Sequence, residues 1–352
     1  MKPFIKSIVL ENDKLLIIDQ RFLPHEEKII ELKDERDVFE AISTLAVRGA
    51  PAIGITAAYG VYISLLKNKN LDKTQFKQKA IDIIQYLKKS RPTAYDLFYA
   101  LYRMEKIIEG EKNVSDWLLD LKKEALKIHN EDLERSERIS INGLNVIPYG
   151  AKILTHCNTG GLATGGNGTA LSIVFKAFQE KRDIFVYVDE TRPLLQGARL
   201  TAWELFRVGV PCKLICDSMA AYLMAKGWID LVLVGADRIA LNGDFANKIG
   251  TYSLAVLAHY HGIPFYTVAP YSTFDFNIDN GDSIPIEERN PSEVKRFGNC
   301  VTAPESVDAY NPAFDVTPHR LLTGIITEAG IIYPPFKENI LALNREKENG
   351  FN

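Results

Sequence analysis

After Pro148 the chain carries five short, nearly uninterrupted runs of apolar and β-branched residues. They are AKILTHC (151–157), DIFVYVD (183–189), CKLIC (212–216), DLVLVGA (230–236) and PFYTVAP (264–270). Runs of this length without polar alternation belong to strands buried on both faces. Between them lie GTALSIVFKAFQ, LLQGARLTAWELFRVG, SMAAYLMAKG and NKIGTYSLAVLAHYHG, each with apolar residues at helical spacing. Strands and helices in this alternation build a mostly parallel, doubly wound α/β sheet with right-handed crossovers, a Rossmann-like domain. In such a sheet chemistry collects at the carboxyl ends of the strands. Those ends are HCNTGG after the first strand, DETRP after the second and GADRIALNGD after the fourth.

The first 147 residues read differently. IKSIVLENDKLLIIDQRFL (5–23) is two apolar runs split by the turn signal END, a small β element. From about residue 35 to 145 the spacing is helical. The stretches are EEKIIELKDERDVFEAISTL, TQFKQKAIDIIQYLKK, AYDLFYALYRMEKIIEG and VSDWLLDLKKEALKIHNEDLERSERI. A length of 352 residues suits two domains. The expected division is a mainly helical domain over 1–147 and a Rossmann-like catalytic domain over 148–352.

Composition narrows the function. A formal charge of −3 gives no basic field to attract nucleic acid or anionic lipid. The most apolar stretch, PAIGITAAYGVYISLL (51–66), falls short of the roughly 20 residues a membrane span needs. Charges interrupt the apolar part of the N-terminus and no cleavage pattern follows, so it does not read as a signal peptide, and a cytoplasmic protein is expected. Four cysteines (157, 212, 216, 300) make no disulfide scaffold. Cys212 and Cys216 lack the second Cys/His pair of a zinc site and read as core thiols. No cofactor fingerprint or metal cluster is found.

Candidate chemistry gathers in a few loops. THCNTGGLATGGNGT (155–169) holds five glycines but neither G-x-G-x-x-G nor G-K-[ST]. It reads as a strand-to-helix turn whose backbone N–H groups suit a phosphate, or else as a flexible turn. Cys157 closes the strand beside that helix start, a placement that lowers a thiol's pKa and suits it to proton transfer; an inert core thiol is the alternative. His156, its neighbour on an extended strand, points to the other face, which argues against a Cys-His dyad. Asp237 follows VLVGA, where burial would raise a carboxyl into a general acid's range; a helix N-cap is the alternative. Asp244, Asn247 and Lys248 read as the opening of a helix, where a lysine opposes the helix dipole and so suggests an anionic ligand. In AVRGAPAIG (46–54), Gly49 permits close backbone approach, Pro51 suits a first helical turn and Arg48 offers a fork for phosphate. Arg91, ahead of Pro92 in SRPTAYD (90–96), repeats the idea.

AVRGAPAIGI, THCNTGGLATGGNGTAL, VDETRPLLQGARLTAWEL, GADRIALNGDFANKIGTY, IPIEERNPSEV and FDVTPHRLLTGIITEAG together resemble the S-methyl-5-thioribose-1-phosphate isomerases of methionine salvage. That family of aldose–ketose isomerases is related to the regulatory subunits of a translation-initiation nucleotide-exchange factor. The resemblance implies that Cys157 and Asp237 are the catalytic pair. It implies substrate binding by Arg48, Gly49, Ala50, Arg91, Gln196, Asn247 and Lys248. It also implies a sugar-phosphate substrate, no cofactor or metal, and a homodimer. Two other readings stay open, a sugar-phosphate-sensing regulatory subunit and a ribose-1,5-bisphosphate isomerase.

Overall fold

The turn signal Glu11-Asn12-Asp13 closes a hairpin. Asn12 and Asp13 both take positive φ (48° and 60°), as a two-residue I′ turn demands. In the computed structural model of the protein, which describes residues 5–91, 95–298 and 300–348, this hairpin joins β1 (Ile8–Glu11) to β2 (Lys14–Ile18). Pro92, the second half of the Arg-Pro motif, lies outside the described residues.

Of the first helical stretch, EEKIIELKDERDVFEAISTL, only the second half is a helix. Ile29–Leu32 is instead β3, antiparallel to β2. The helix starts where it can be capped: the Asp34 side chain accepts hydrogen bonds from the backbone N–H groups of Arg36 and Asp37, fixing α1 at Glu35–Ser43. Then follow α2 (Ala50–Leu66), α3 (Lys73–Lys88), α4 (Tyr95–Ile108) and α5 (Val114–Leu144). α2 is apolar on all sides because it is the centre of this unit, buried from Ala52 to Leu65. Phe76 stacks on Trp117 beside it, with ring centroids 5.8 Å apart. This compact unit runs up to Arg135 and also takes in Gly160–Gly168.

The other unit comprises Ser136–Thr159 and the chain from Thr169 onward. Its elements are β4 (Lys152–Thr155), α6 (Ala170–Gln179), β5 (Phe185–Asp189), α7 (Ala202–Val208), β6 (Cys212–Ile215), α8 (Ala220–Ala225) and β7 (Leu231–Val234). Next come β8 (Arg238–Ala240), β9 (Phe245–Lys248), α9 (Thr251–Tyr260) and β10 (Phe265–Val268). The chain ends through β11 (Phe274–Asp275), β12 (Arg296–Phe297), β13 (Cys300–Val301), β14 (Phe314–Thr317), β15 (Gly324–Thr327), β16 (Gly330–Ile332) and α10 (Phe336–Glu348). The main sheet has the order β16-β15-β10-β7-β4-β5-β6, all parallel except β16. All five apolar runs form its strands. A sixth parallel strand comes from GIIT, a run too short to stand out by periodicity.

Two expectations need correction. Residues 238–248 do not open a helix; they form the hairpin β8–β9, turning at Gly243 with φ +92°. Ile239 and Phe245 pair across it, both fully buried, and β11 and β14 extend it to a second four-stranded sheet. Nor are Cys212 and Cys216 both core thiols. β6 has a neighbour on one side only, so Cys212 is half-buried and Cys216 exposed. Among the described residues no helix is long and apolar enough to cross a membrane.

Phe245 anchors the hairpin in the core shared by Leu154, Val232, Val234 and Phe265. Phe245→Ala is therefore expected to cost about 3–5 kcal/mol in urea unfolding. A loss below about 1 kcal/mol, the range of a surface change, would contradict this packing.

Candidate active site

The strand order reverses between β4 and β7. The chain leaves β4 toward β5 on one side and leaves β7 toward β10 on the other, while the two strands pair directly through Thr155 and Leu233. Loops that diverge in this way open a crevice at the carboxyl ends. Cys157 lies just past β4 and Asp237 just past β7, so both predicted catalytic residues flank this point. The strand ends also touch. A Cβ added to Gly235 would sit 2.8 Å from Thr159 Cγ2 and 3.9 Å from Asn247 Oδ1. Glycine is needed here for closeness.

Cys157 turns the chain sharply. Its φ is +62°, a region that costs a side-chain-bearing residue energy and persists only when neighbours impose it. They do. Its N–H donates to Thr191 Oγ1 (2.8 Å), and its carbonyl accepts from Thr201 Oγ1 (2.6 Å). Asn158 Nδ2 donates to Thr201 Oγ1 and to Glu204 Oε1, both residues fully buried. The thiol-bearing residue is 9% exposed.

Thr201 closes a π-helical turn, Gly197–Thr201, headed by Gln196. π-turns are rare and recur at functional sites. This one is pressed onto the end of β5: a Cβ on Gly197 would lie 1.7 Å from the Asp189 carbonyl oxygen. Gln196 is 7% exposed, and its Oε1 has no protein hydrogen-bond partner among the described residues. A buried amide oxygen in that state is costly and is an acceptor offered to a ligand.

Asp237 differs from expectation. It is exposed, and it leads into β8 with its N–H on the Ala246 carbonyl (2.8 Å). It is thus neither a buried carboxyl nor a helix cap, because the chain passes from β7 into the strand β8. Asn247 and Lys248 end β9 rather than starting a helix, so the helix-dipole argument for Lys248 lapses. Asn247 is buried and donates to Thr251 Oγ1. Lys248 Nζ donates to the Ala313 carbonyl (2.8 Å) and lies 4.3 Å from the Phe314 ring centroid.

Asp244 is a structural hub in the hairpin turn. Burial alone would push its carboxyl up. Hydrogen bonds from the His319 N–H, Asn242, the Gly281 N–H and the His319 ring outweigh that and hold it below the usual carboxylate range.

The remaining predicted residues belong to the other unit. Arg48, Gly49 and Ala50 lead into α2, and half-buried Arg91 follows α3. Gly49 has φ +91°, and a Cβ there would meet the Ala163 carbonyl oxygen at 2.3 Å. The VRGAP turn is thereby seated on the glycine loop 160–168. That loop is not a flexible turn. Gln20 Nε2 donates to the Leu162 carbonyl, Ser7 Oγ to the Gly161 carbonyl, and the Gly165 N–H to Asp132 Oδ2. The Gly165 and Gly166 N–H groups are engaged within the protein, so they are not the open anion cradle the sequence suggested. Gly165 is there for space: a Cβ would sit 2.5 Å from the His129 ring.

His156, Asp189 and Asp217 each bring a possible metal-ligating atom within 4.8 Å of the others. Both ring nitrogens of His156 have protein partners, one of them Asp189, and both oxygens of Asp217 accept backbone N–H groups, from Thr191 and Arg192.

Comparison with known proteins places this geometry. Residues 46–334 match the Initiation factor 2 subunit family. A protein named methylthioribose-1-phosphate isomerase from Caldicellulosiruptor saccharolyticus is 52% identical over 97% of this chain and 100% of its own length. A crystal structure described as 5-methylthioribose 1-phosphate isomerase from Pyrococcus horikoshii superposes with a TM-score of 0.93 at 46% identity, covering 98% of this chain and 97% of that one. A structure described as translation initiation factor eIF-2B subunit delta from A. fulgidus gives 0.90 at 40% identity, covering 97% and 99%. The chain belongs to the Initiation factor 2 subunit family.

Two outcomes follow from the packing. Gly197→Ala should lose at least about 2 kcal/mol of stability, because backbone must move to admit the methyl group; an unchanged melting temperature would contradict the contact. Asp244 has its pKa depressed by folding, so its contribution is present above roughly pH 4 and fades as pH falls through the folded value. Asp244→Asn should be less stable than the wild type at neutral pH, and urea unfolding should show the gap closing in acid. A gap independent of pH would count against the hub.

Proposed function

We propose that this member of the Initiation factor 2 subunit family is an aldose–ketose isomerase of methionine salvage, converting 5-methylthioribose 1-phosphate to 5-methylthioribulose 1-phosphate. The observation that carries the reading is that Cys157 and Asp237 follow the ends of the paired strands where the sheet order reverses, in a chain half identical to proteins of that name.

The substrate's anomeric oxygen carries phosphate, so the sugar cannot open spontaneously to an aldehyde. In our reading Asp237 protonates the ring oxygen as its bond to C1 breaks. Asp237 is exposed in the free protein. In this scheme bound substrate buries the carboxyl and sets a phosphate near it, both of which favour the protonated form. Hydrogen then passes from C2 to C1. In one route Cys157 removes the C2 proton, an enol phosphate forms, and C1 is reprotonated. In the other, the C2 hydrogen moves with its electron pair to C1 while the C2 hydroxyl loses its proton, and Cys157 shapes the site. Gln196, Asn247 and Lys248 bind the sugar, and Arg48, Gly49, Ala50 and Arg91 bind its phosphate end.

No cofactor enters this scheme. We further propose a cytoplasmic homodimer. Phe206, Leu214, Met219 and Tyr222, all exposed on or beside the edge strand β6, support self-association.

The test is turnover. Purified protein with 5-methylthioribose 1-phosphate should form the ketose, and the 5-deoxy analogue should also react, since one apolar substituent is worth only about 1–3 kcal/mol. Ribose 1,5-bisphosphate should be the poorest of the three. Asp237→Asn should lower kcat by about two to four orders of magnitude, and Cys157→Ser should abolish turnover while substrate still binds. Arg48→Ala should chiefly raise KM. Binding without turnover in the wild type would favour a regulatory sensor instead. Preference for the bisphosphate would overturn the substrate assignment.

A further inference from the structure

His156 is 1% exposed and Asp189 fully buried. His156 Nδ1 lies 3.0 Å from Asp189 Oδ2, and Nε2 lies 2.9 Å from the Ile249 carbonyl oxygen. A carbonyl only accepts, so Nε2 must carry a proton. One further proton is then shared between Nδ1 and Asp189, as imidazolium with carboxylate or as neutral imidazole with carboxylic acid. Both nitrogens are committed, and neither serves the Cys157 thiol.

Ile249 directly follows Asn247 and Lys248, and the imidazole fills the space under the next residue. A Cβ on Gly250, whose φ is +103°, would meet His156 Cε1 at 3.0 Å and Nε2 at 3.1 Å. From the opposite side Asp315 on β14 accepts the N–H groups of Gly250 and Tyr252. His156 thus bonds one strand end, next to Cys157, to the other, next to Asn247–Lys248.

We propose that His156 is a positioning residue for the isomerisation: through its hydrogen bond to the Ile249 carbonyl, and backed by Asp189, it holds Asn247 and Lys248 in register with Cys157. The proposal rests on the isomerase reading. The charged groups around the ring are Asp189 and Glu190 at the end of β5, Asp217 after β6, and Asp315 and Lys248 on the second sheet. Burial opposes charge on the imidazole, but Asp189, then Asp217 and the Ile249 carbonyl, outweigh it and raise the ring's pKa. Burial pushes Asp189 up to about 6 despite His156. Both shifts agree with a proton kept by the pair.

Replacement by two amides separates the ring's two bonds. The Gln amide nitrogen reaches about as far as Nε2 and can donate to Ile249; the Asn nitrogen reaches only as far as Nδ1. His156→Gln should keep kcat and KM near wild type. His156→Asn should raise KM by about 10- to 100-fold, the usual cost of a misplaced binding group, with a smaller fall in kcat. Equal damage in both, or none in either, overturns the proposal. Should either variant fail to fold, the wild type decides through its 15N-histidine spectrum. Nε2 of His156 must remain protonated throughout the neutral range, and an unprotonated Nε2 overturns the proposal. That spectrum needs no activity, so it stands apart from any failure of the turnover assay.

Discussion

The direct pairing of β4 with β7 is the constraint on which the site depends. Those two strands start crossovers that run in opposite directions, so the chain parts above them and only there. Thr155 and Leu233 set the register, and that register brings the segments that carry Cys157 and Asp237 off the same carboxyl edge. A one-residue slip would turn every side chain on the strand to the opposite face of the sheet. The buried runs KILT and LVLV forbid it, since all but Lys152 are in the core.

Above the sheet, precision comes from hydroxyl groups and glycines rather than from charge. Thr191 and Thr201 grip the backbone of Cys157 on both sides and hold a left-handed φ that the residue would not adopt alone. Gly197 and Gly235 let neighbouring turns approach closer than any side chain would allow. The charged groups that matter structurally, Asp244 and the His156–Asp189 pair, act by accepting and sharing protons at buried positions, where a hydrogen bond is strong and its loss costly.

Much of this was legible in the residues. The five β-branched runs announced the parallel sheet, and the rule about carboxyl ends pointed to the right loops. END gave the first hairpin and Pro51 the first turn of α2. Other features were hidden for physical reasons. RIALNGDFANK combines short strands with a tight turn, and its apolar spacing also fits a helix; only the pairing of Ile239 with Phe245 decides. The glycines of 160–168 read as an open phosphate cradle, but the N–H groups of two of them, Gly165 and Gly166, are spent on Asp132 and Thr164, partners distant or unremarkable in sequence. The apolar residues before Asp237 suggested burial, whereas burial depends on where the chain goes next. His156 was set aside because alternation turns it from Cys157. That argument assumed an extended strand, whereas β4 ends at Thr155 and Cys157 takes a left-handed φ, and it could not reveal Asp189 and Ile249 as the ring's partners.

The central claim is that the sugar reacts at the carboxyl ends of β4 and β7. The most direct measurement is a crystal structure of Asp237→Asn soaked with 5-methylthioribose 1-phosphate. The account predicts C1 and C2 in van der Waals contact with Cys157 Sγ, about 4 Å away, the ring oxygen against the residue 237 amide, and a sugar hydroxyl on Gln196. A sugar bound in full occupancy with its C1–C2 edge remote from Cys157 would contradict it.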